Sequence, residues 1–310
     1  MSGYSEWDQK EHADKWLLFP ENLGEYLSID ETSLSNGELY TILTNKAAKG
    51  KKGSIVAIIE GVNSNNIISY LKKLPKKLRY KVKEITLDFA NSMNKICRSC
   101  FPNASLVVDR FHVQKLACDA VQEIRIRHRW EAIAEENEKI KEFKLEKEKA
   151  KSSGIKISSK KYEPEEFENG DTKKQLLARS RYLLFKSRDK WNEKQKERAK
   201  ILFENFPDIE QAYNISEKLR SIFSLKKIKD VVRAKLALWH NQVEDSGFDS
   251  FKTIANTIES HYEEVLNYFN NRNTNAGAES FNAKIKALRA DFRGVSDINF
   301  FLFRLIKIFA

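Results

Sequence analysis

Val82-Lys83-Glu84-Ile85-Thr86-Leu87-Asp88 is a short run with Val82, Ile85 and Leu87 as its apolar residues, and it stops on a carboxylate. Ser92–Cys100 follows, with Met93, Ile96, Cys97 and Cys100 at the i, i+3, i+4, i+7 spacing of one helix face. Ser105-Leu106-Val107-Val108-Asp109 then repeats the first pattern and again stops on Asp. A strand, a helix and a strand in succession predict a crossover, and crossovers join parallel strands.

The segments before this unit extend the sheet. Asn65–Leu74 predicts a helix with Ile67, Ile68, Leu71 and Leu74 on one face and Pro75 as its stop. Ser54–Glu60, Leu39–Thr44 and Tyr26–Asp30 read as strands. Lys49-Gly50-Lys51-Lys52-Gly53 is the turn between the second and the third. The order is a three-strand meander followed by strands with helical crossovers. That predicts an α/β fold, a mixed sheet with flanking helices. Residues 1–25, with Trp7, Trp16 and Leu17-Leu18-Phe19-Pro20, read as a lead-in that docks on this domain.

Beyond residue 112 the character changes. Val113, Leu116, Ala117, Ala120, Val121 and Ile124 form a helical stripe, and residues 113–270 carry no convincing strand signal. Segment 135–172 is nearly all Glu, Lys and Ser, so a fraying helix and then a mobile loop are expected. Residues 271–310 return to the first domain. Their opening, Asn271 to Gly277, is rich in capping residues. A helix follows with Phe281, Ile285 and Leu288 as its apolar stripe, while Glu279, Asn282 and Lys286 share another face. The expected division is therefore 1–25, 26–112, 113–270 and 271–310, a core interrupted by a large all-α insertion.

Composition narrows the class. The 310 residues are 41% hydrophobic and 32% charged, and 11 Gly and 5 Pro exclude a collagen-like or low-complexity chain. A net charge of +11 favours a polyanionic partner such as DNA. Three cysteines exclude a disulfide scaffold and suit a reducing compartment. The apolar run Phe300–Phe309 is broken by Arg304 and Lys307 and is shorter than the roughly 20 residues a bilayer needs. No signal peptide is legible, so a soluble intracellular protein is expected.

The chemistry concentrates in carboxylates. Asp30, Asp88 and Asp109 each end a predicted strand, and ligands gather at the carboxyl ends of strands in crossover sheets. If the Asp30 and Asp88 strands are neighbours, their carboxylates repel unless a cation lies between them. Hard oxygen ligands select Mg²⁺ or Mn²⁺. Glu279, on a covering helix, would complete a site for two ions, which stabilise the attacking and leaving oxygens of a phosphoryl displacement.

The strings Ser28-Ile29-Asp30-Glu31, Thr86-Leu87-Asp88, Val108-Asp109-Arg110-Phe111-His112 and Glu279-Ser280-Phe281-Asn282-Ala283-Lys284-Ile285-Lys286 resemble the DDE transposases of the ISL3 insertion-sequence family. The resemblance runs from about residue 26 to the C-terminus. It implies an RNase H-like core with a helical insertion before the last acid, and metal-dependent DNA strand cleavage and strand transfer. It implies Asp30, Asp88 and Glu279 as the catalytic triad, with Asp109 and His112 similar to a motif of supportive role. It also implies a bacterial, nucleoid-associated protein in the cytoplasm, acting on element ends and target DNA as a homodimer. Family members carry DNA-binding modules ahead of the core. Residues 1–25 are too few for one, so either the chain is truncated or a separate DNA-recognition protein is a partner.

Blander readings stand beside these. A strand-ending Asp is often a turn residue. Glu31 is adjacent to Asp30 and is expected to point to the other sheet face. Glu263 and Glu264 lack a matching string. Cys97 and Cys100 have metal-ligand spacing but share a helix face with Met93 and Ile96, and no second pair exists. The Gly50–Gly53 turn lacks the pattern of a nucleotide loop. Arg110, Lys284, Lys286, Arg289 and Arg293 are the candidate phosphate contacts, and Trp239 is the candidate for a base or hairpin contact. A DNA-binding or assembly protein derived from a transposase, with an inactive acidic cluster, is the alternative of a different class. Another RNase H-like nuclease is a third.

Overall fold

The computed structural model describes residues 3–33, 39–153, 161–226, 228–272, 276–292 and 296–310, with Ala276 and Glu279 described by backbone alone. The chain divides into two units, one of residues 1–113, 226–230 and 257–310, the other of 114–225 and 231–256. The sheet-bearing unit thus takes the chain back briefly at Lys226–Asp230 and then from Thr257 to the end.

The first unit opens with β1 (Trp16–Leu18), β2 (Tyr26–Ser33), β3 (Leu39–Asn45) and β4 (Ile55–Glu60). Next come α1 (Ser64–Leu71), the short α2 (Lys76–Arg79), β5 (Glu84–Leu87), α3 (Asn91–Cys100) and β6 (Ser105–Val108). The six strands form one sheet in the order β1-β4-β3-β2-β5-β6. The meander is antiparallel, and the β2–β5 and β5–β6 pairs are parallel. This is the expected mixed sheet of RNase H-like type. One strand was not foreseen: β1, within the lead-in, adds an antiparallel edge beside β4.

Alternation along β2 creates the two faces. Leu27 and Ile29 enter a core with Leu43, Ile59 and Ile85, closed by Ile67 and Leu71 of α1 and by Met93, Ile96, Cys97 and Cys100 of α3. Ser28, Asp30 and Thr32 point the other way. On that second face Tyr40, Ile42, Ile55 and Ile58 meet Phe281 and Ile285 of α11 (Ala276–Asp291) and Phe301, Leu302 and Leu305 of α12 (Ile298–Phe309). Each such Ile or Phe contributes about 1.5–3 kcal/mol by leaving water. Those anchors hold α11 across the face that carries Asp30. Asn267 of α10 (Tyr262–Asn271) donates to the Leu106 carbonyl of β6, which covers that end of the sheet. Arg98 and Asn94 of α3 both bond Glu264 of α10, so this buried acid is spent on structure.

The second unit is helical. It holds most of α4 (Arg110–Ser152), then α5 (Lys173–Arg179), α6 (Glu193–Asn205), α7 (Pro207–Ser224), most of α8 (Lys229–Ser246) and the first part of α9 (Asp249–Ser260). The helix expected at the start of 135–172 is present. Residues 135–152 continue α4 without a break, held in part by ion pairs from Lys173 to Glu135 and Lys174 to Glu136. Residues 154–160 lie outside the described residues. At the far end Asp171 is fully buried and bonded to Arg179 and Arg198, so the return of the chain is anchored. No helix among the described residues is long and apolar enough to cross a membrane.

Candidate active site at the acidic strand ends

The β2–β5 register pairs Tyr26 with Glu84, Leu27 with Ile85 and Ser28 with Thr86. Two residues further on, the same register brings Asp30 level with Asp88. The β5–β6 register pairs Leu87 with Val108, which brings Asp88 level with Asp109. Neighbouring strands lie about 4.8 Å apart, and residues two apart share a face. The three carboxylates therefore form a row across adjacent strands. Asp88 and Asp109 stand one residue past their strands, where the chain turns.

Local bonds fix each group. Asp30 Oδ1 accepts from the Glu31 N–H at 2.8 Å, and its Oδ2 accepts from Asn282 Nδ2 of α11 at 2.7 Å. Asp88 Oδ1 accepts from the Ala90 N–H ahead of α3, and Asp109 Oδ1 from the Phe111 N–H at the start of α4. Asp109 is 1% exposed, and its Oδ2 has no hydrogen-bond partner among the described residues. His112 Nδ1, 3.8 Å away, is its nearest counter-group. Burial pushes the Asp30 carboxyl above the ordinary carboxylate range. The Glu31 N–H and His112 oppose that rise, while Asp88 and Asp109 add to it. Glu31 is raised by burial and then by Asp88 and Asp30.

These features fit a cation. The donors are carboxylate oxygens, one of them buried and unpartnered among the described residues, and the neighbouring acids add to the rise of Asp30. Among the described residues no group of three or more His, Cys, Asp or Glu is gathered tightly enough to hold an ion. Glu279 stands one turn before Asn282 in α11, and its side chain lies outside what the structure describes.

Among the other candidates, Arg110 and Lys286 are exposed. Lys284 donates to the Gly50 carbonyl, and Arg289 lies over the Phe301 ring at 5.1 Å. Arg293 lies outside the described residues. The DNA-contacting role expected of Trp239 is corrected. Its ring is 1% exposed in the helical unit, and its N–H donates to the Ile215 carbonyl at 3.0 Å. Val232, Leu236, Trp239 and Val243 make one buried stripe of α8, and that spacing was the signal for a core residue. Trp239→Phe should lower stability by about 1–3 kcal/mol, because the indole N–H bond is lost and the smaller ring leaves a void in the core. Denaturant melts of both proteins, beside DNA titrations that show no change, would check this.

Lys46 went unnoticed in the sequence. Its amine donates to Thr86 Oγ1 and lies 3.6 Å from Glu84 Oε1. Burial pulls its pKa down, opposed by Glu84 and Asp109. The signal was its place in period with Tyr40 and Ile42, on the face that α11 covers.

A family model described as a transposase, that of the DDE transposases of the ISL3 group, matches residues 27–305. The transposase for insertion sequence element IS1001 of Bordetella parapertussis is 18% identical over 287 residues, which cover 92% of this chain and 61% of that protein. The chain thus spans less than two thirds of that curated relative's length. No solved structure matches.

Proposed function

The chain belongs to the ISL3 family of insertion-sequence transposases, and on that premise we propose that it cleaves DNA at the element end and joins the freed 3′-hydroxyl to target DNA. The observation that carries the proposal is the level row of Asp30 and Asp88 on paired parallel strands, faced by α11 through Asn282. Asp30, Asp88 and Glu279 are the residues that would hold Mg²⁺ or Mn²⁺, with Asp109 in support. Two such ions, when bound, stabilise the attacking and leaving oxygens of an in-line phosphoryl displacement.

The protein's own groups prepare that chemistry. The Glu31 and Ala90 N–H groups each fix one oxygen of Asp30 and Asp88, so both carboxylates are aimed before substrate arrives. Asn282 ties Asp30 to α11, and Glu279 belongs to the same helix one turn earlier. His112 lies where it can steady the buried Asp109. DNA is the proposed partner, held through Arg110, Lys284, Lys286, Arg289 and Arg293. Strand transfer brings two ends together, so a homodimer on DNA is part of the proposal, as is a separate recognition protein.

The test is incubation of the protein with a duplex carrying the element end, in Mg²⁺ and in EDTA. Mg²⁺-dependent cleavage leaving a 3′-hydroxyl is the expected result. Tight binding without cleavage in either Mg²⁺ or Mn²⁺ would favour the inactive assembly protein.

A further inference from the structure

Between the turn after β3 and the first turn of α11 lies a cavity of about 280 Å³, lined among others by Thr44, Lys46, Lys49, Ser54, Gly277 and Ser280. Its wall is chemically biased towards an anion. Lys46 brings a largely buried amine, and Lys49 is exposed at the rim. The N-terminal turn of α11 opens onto it through Gly277 and Ala278, and helix N-termini carry partial positive charge and unpaired N–H groups. Ser54 is an independent pointer. It is 1% exposed, and its hydroxyl has no hydrogen-bond partner among the described residues. A buried hydroxyl rarely stays unpaired unless a ligand or water completes it. Among the described residues no carboxylate lines the cavity, and Glu84 lies behind the Lys46 amine at 3.6 Å. The cavity also borders the acidic row, because Lys46 reaches Thr86, the residue paired with Ser28 and two before Asp88.

We infer that this cavity is a phosphate subsite, which seats one backbone phosphate of the DNA on which the neighbouring carboxylates act. The inference rests on the nucleic-acid reading of the acidic row and adds a contact to it. Lys49 and Lys46 supply charge, the α11 N–H groups and Ser54 supply donors, and the ligand is a phosphodiester. The contact is blind to base identity and sets the register of the strand.

Two substitutions test it without disturbing the acids. Lys49 has φ 53°, a left-handed conformation that Asn tolerates, so Lys49→Asn removes charge with little strain. A Cβ at Gly277 would meet no atom within 4 Å, so Gly277→Asp fits and places a carboxylate in the wall. The measurement is affinity for a duplex across a salt series, with melting temperature as a check on folding. Lys49→Asn should reduce the slope of log affinity against log salt by about 0.9, the value of one lost phosphate contact. Gly277→Asp should weaken low-salt binding by about tenfold with no fall in melting temperature. Lys52→Asn, which removes the same charge from the same turn outside the cavity lining, should leave the slope alone.

Equal losses in Lys49→Asn and Lys52→Asn would mean diffuse surface charge and overturn the subsite. So would an unchanged slope in Lys49→Asn. Stabilisation of the wild type by inorganic phosphate, absent in Gly277→Asp, together with equal DNA affinity of the two, would mean a free-anion site and overturn the DNA assignment. Cleavage is read separately. Wild-type cleavage with an unchanged slope defeats the subsite alone, and a reduced slope without wild-type cleavage defeats only the catalytic reading.

Discussion

Asp30→Asn is expected to abolish Mg²⁺-dependent cleavage while leaving affinity for duplex DNA close to wild type. Asn keeps the size and one carbonyl oxygen of Asp, so the Glu31 N–H keeps its acceptor, and the Asn282 amide, once flipped, accepts from the new NH2 group, which leaves the sheet undisturbed. What goes is the negative charge that a divalent cation needs. Metal ions contribute several kcal/mol of charge stabilisation in a phosphoryl transition state, and each 1.36 kcal/mol is tenfold in rate. A fall of about 10³-fold or more follows. Binding responds in the opposite sense if at all, because one fewer carboxylate faces a polyanion. Asn282→Ala should act more mildly, by about 10- to 100-fold, as loss of a group that orients a metal-holding carboxylate does. Part of that loss should return at high Mn²⁺, since the carboxylate itself remains. Single-turnover cleavage and equilibrium binding on the same duplex separate the two effects. If Asp30→Asn loses affinity as steeply as cleavage, or cleaves like the wild type, Asp30 has no catalytic role.

The row of acids was legible because each carboxylate closes an apolar run, and a run that stops on Asp marks both a strand and its end. The crossover helices implied parallel strands but left open whether the Asp30 and Asp88 strands are neighbours, and the β2–β5 register supplies that pairing. The contact between Asn282 and Asp30 was not legible. It joins residues 252 apart, and helix periodicity says only that Asn282 shares a face with Glu279 and Lys286. β1 escaped for another reason. Trp16-Leu17-Leu18 is too short to show a period, and its strand character comes from pairing with Ile59, Ile58 and Ala57. For the second half of α4 the Glu and Lys rows told of a helix but not of what meets it: Glu135 and Glu136 are bonded by Lys173 and Lys174, from a segment 38 residues away.

The same kind of distant pairing sets the second large expectation, which concerns stability. Asp171 closes the charged stretch that reads as mobile in sequence, yet it is fully buried in the helical unit. Its Oδ2 accepts from Arg198 Nε at 2.8 Å, and its Oδ1 is bonded to Arg179. Burial alone would raise its pKa, but the two guanidinium groups outweigh it and hold the carboxyl below the ordinary range. Asp171→Ala removes two charge-assisted hydrogen bonds, each worth about 1.5–3 kcal/mol. Arg179 and Arg198 keep side-chain exposures of 53% and 24%, so water recovers part of their solvation. A net loss of about 2–4 kcal/mol is therefore expected, short of the sum of both bonds. The pH dependence has a definite sign. A carboxyl whose folded pKa lies below its unfolded value, near 3.9, contributes its full stability above that value. The contribution fades as pH falls from there through the folded pKa. Wild type and Asp171→Ala should thus differ most at neutral pH and converge in acid. Denaturant unfolding of both between neutral pH and pH 3 would show a constant gap instead if Asp171 stabilised only by filling space.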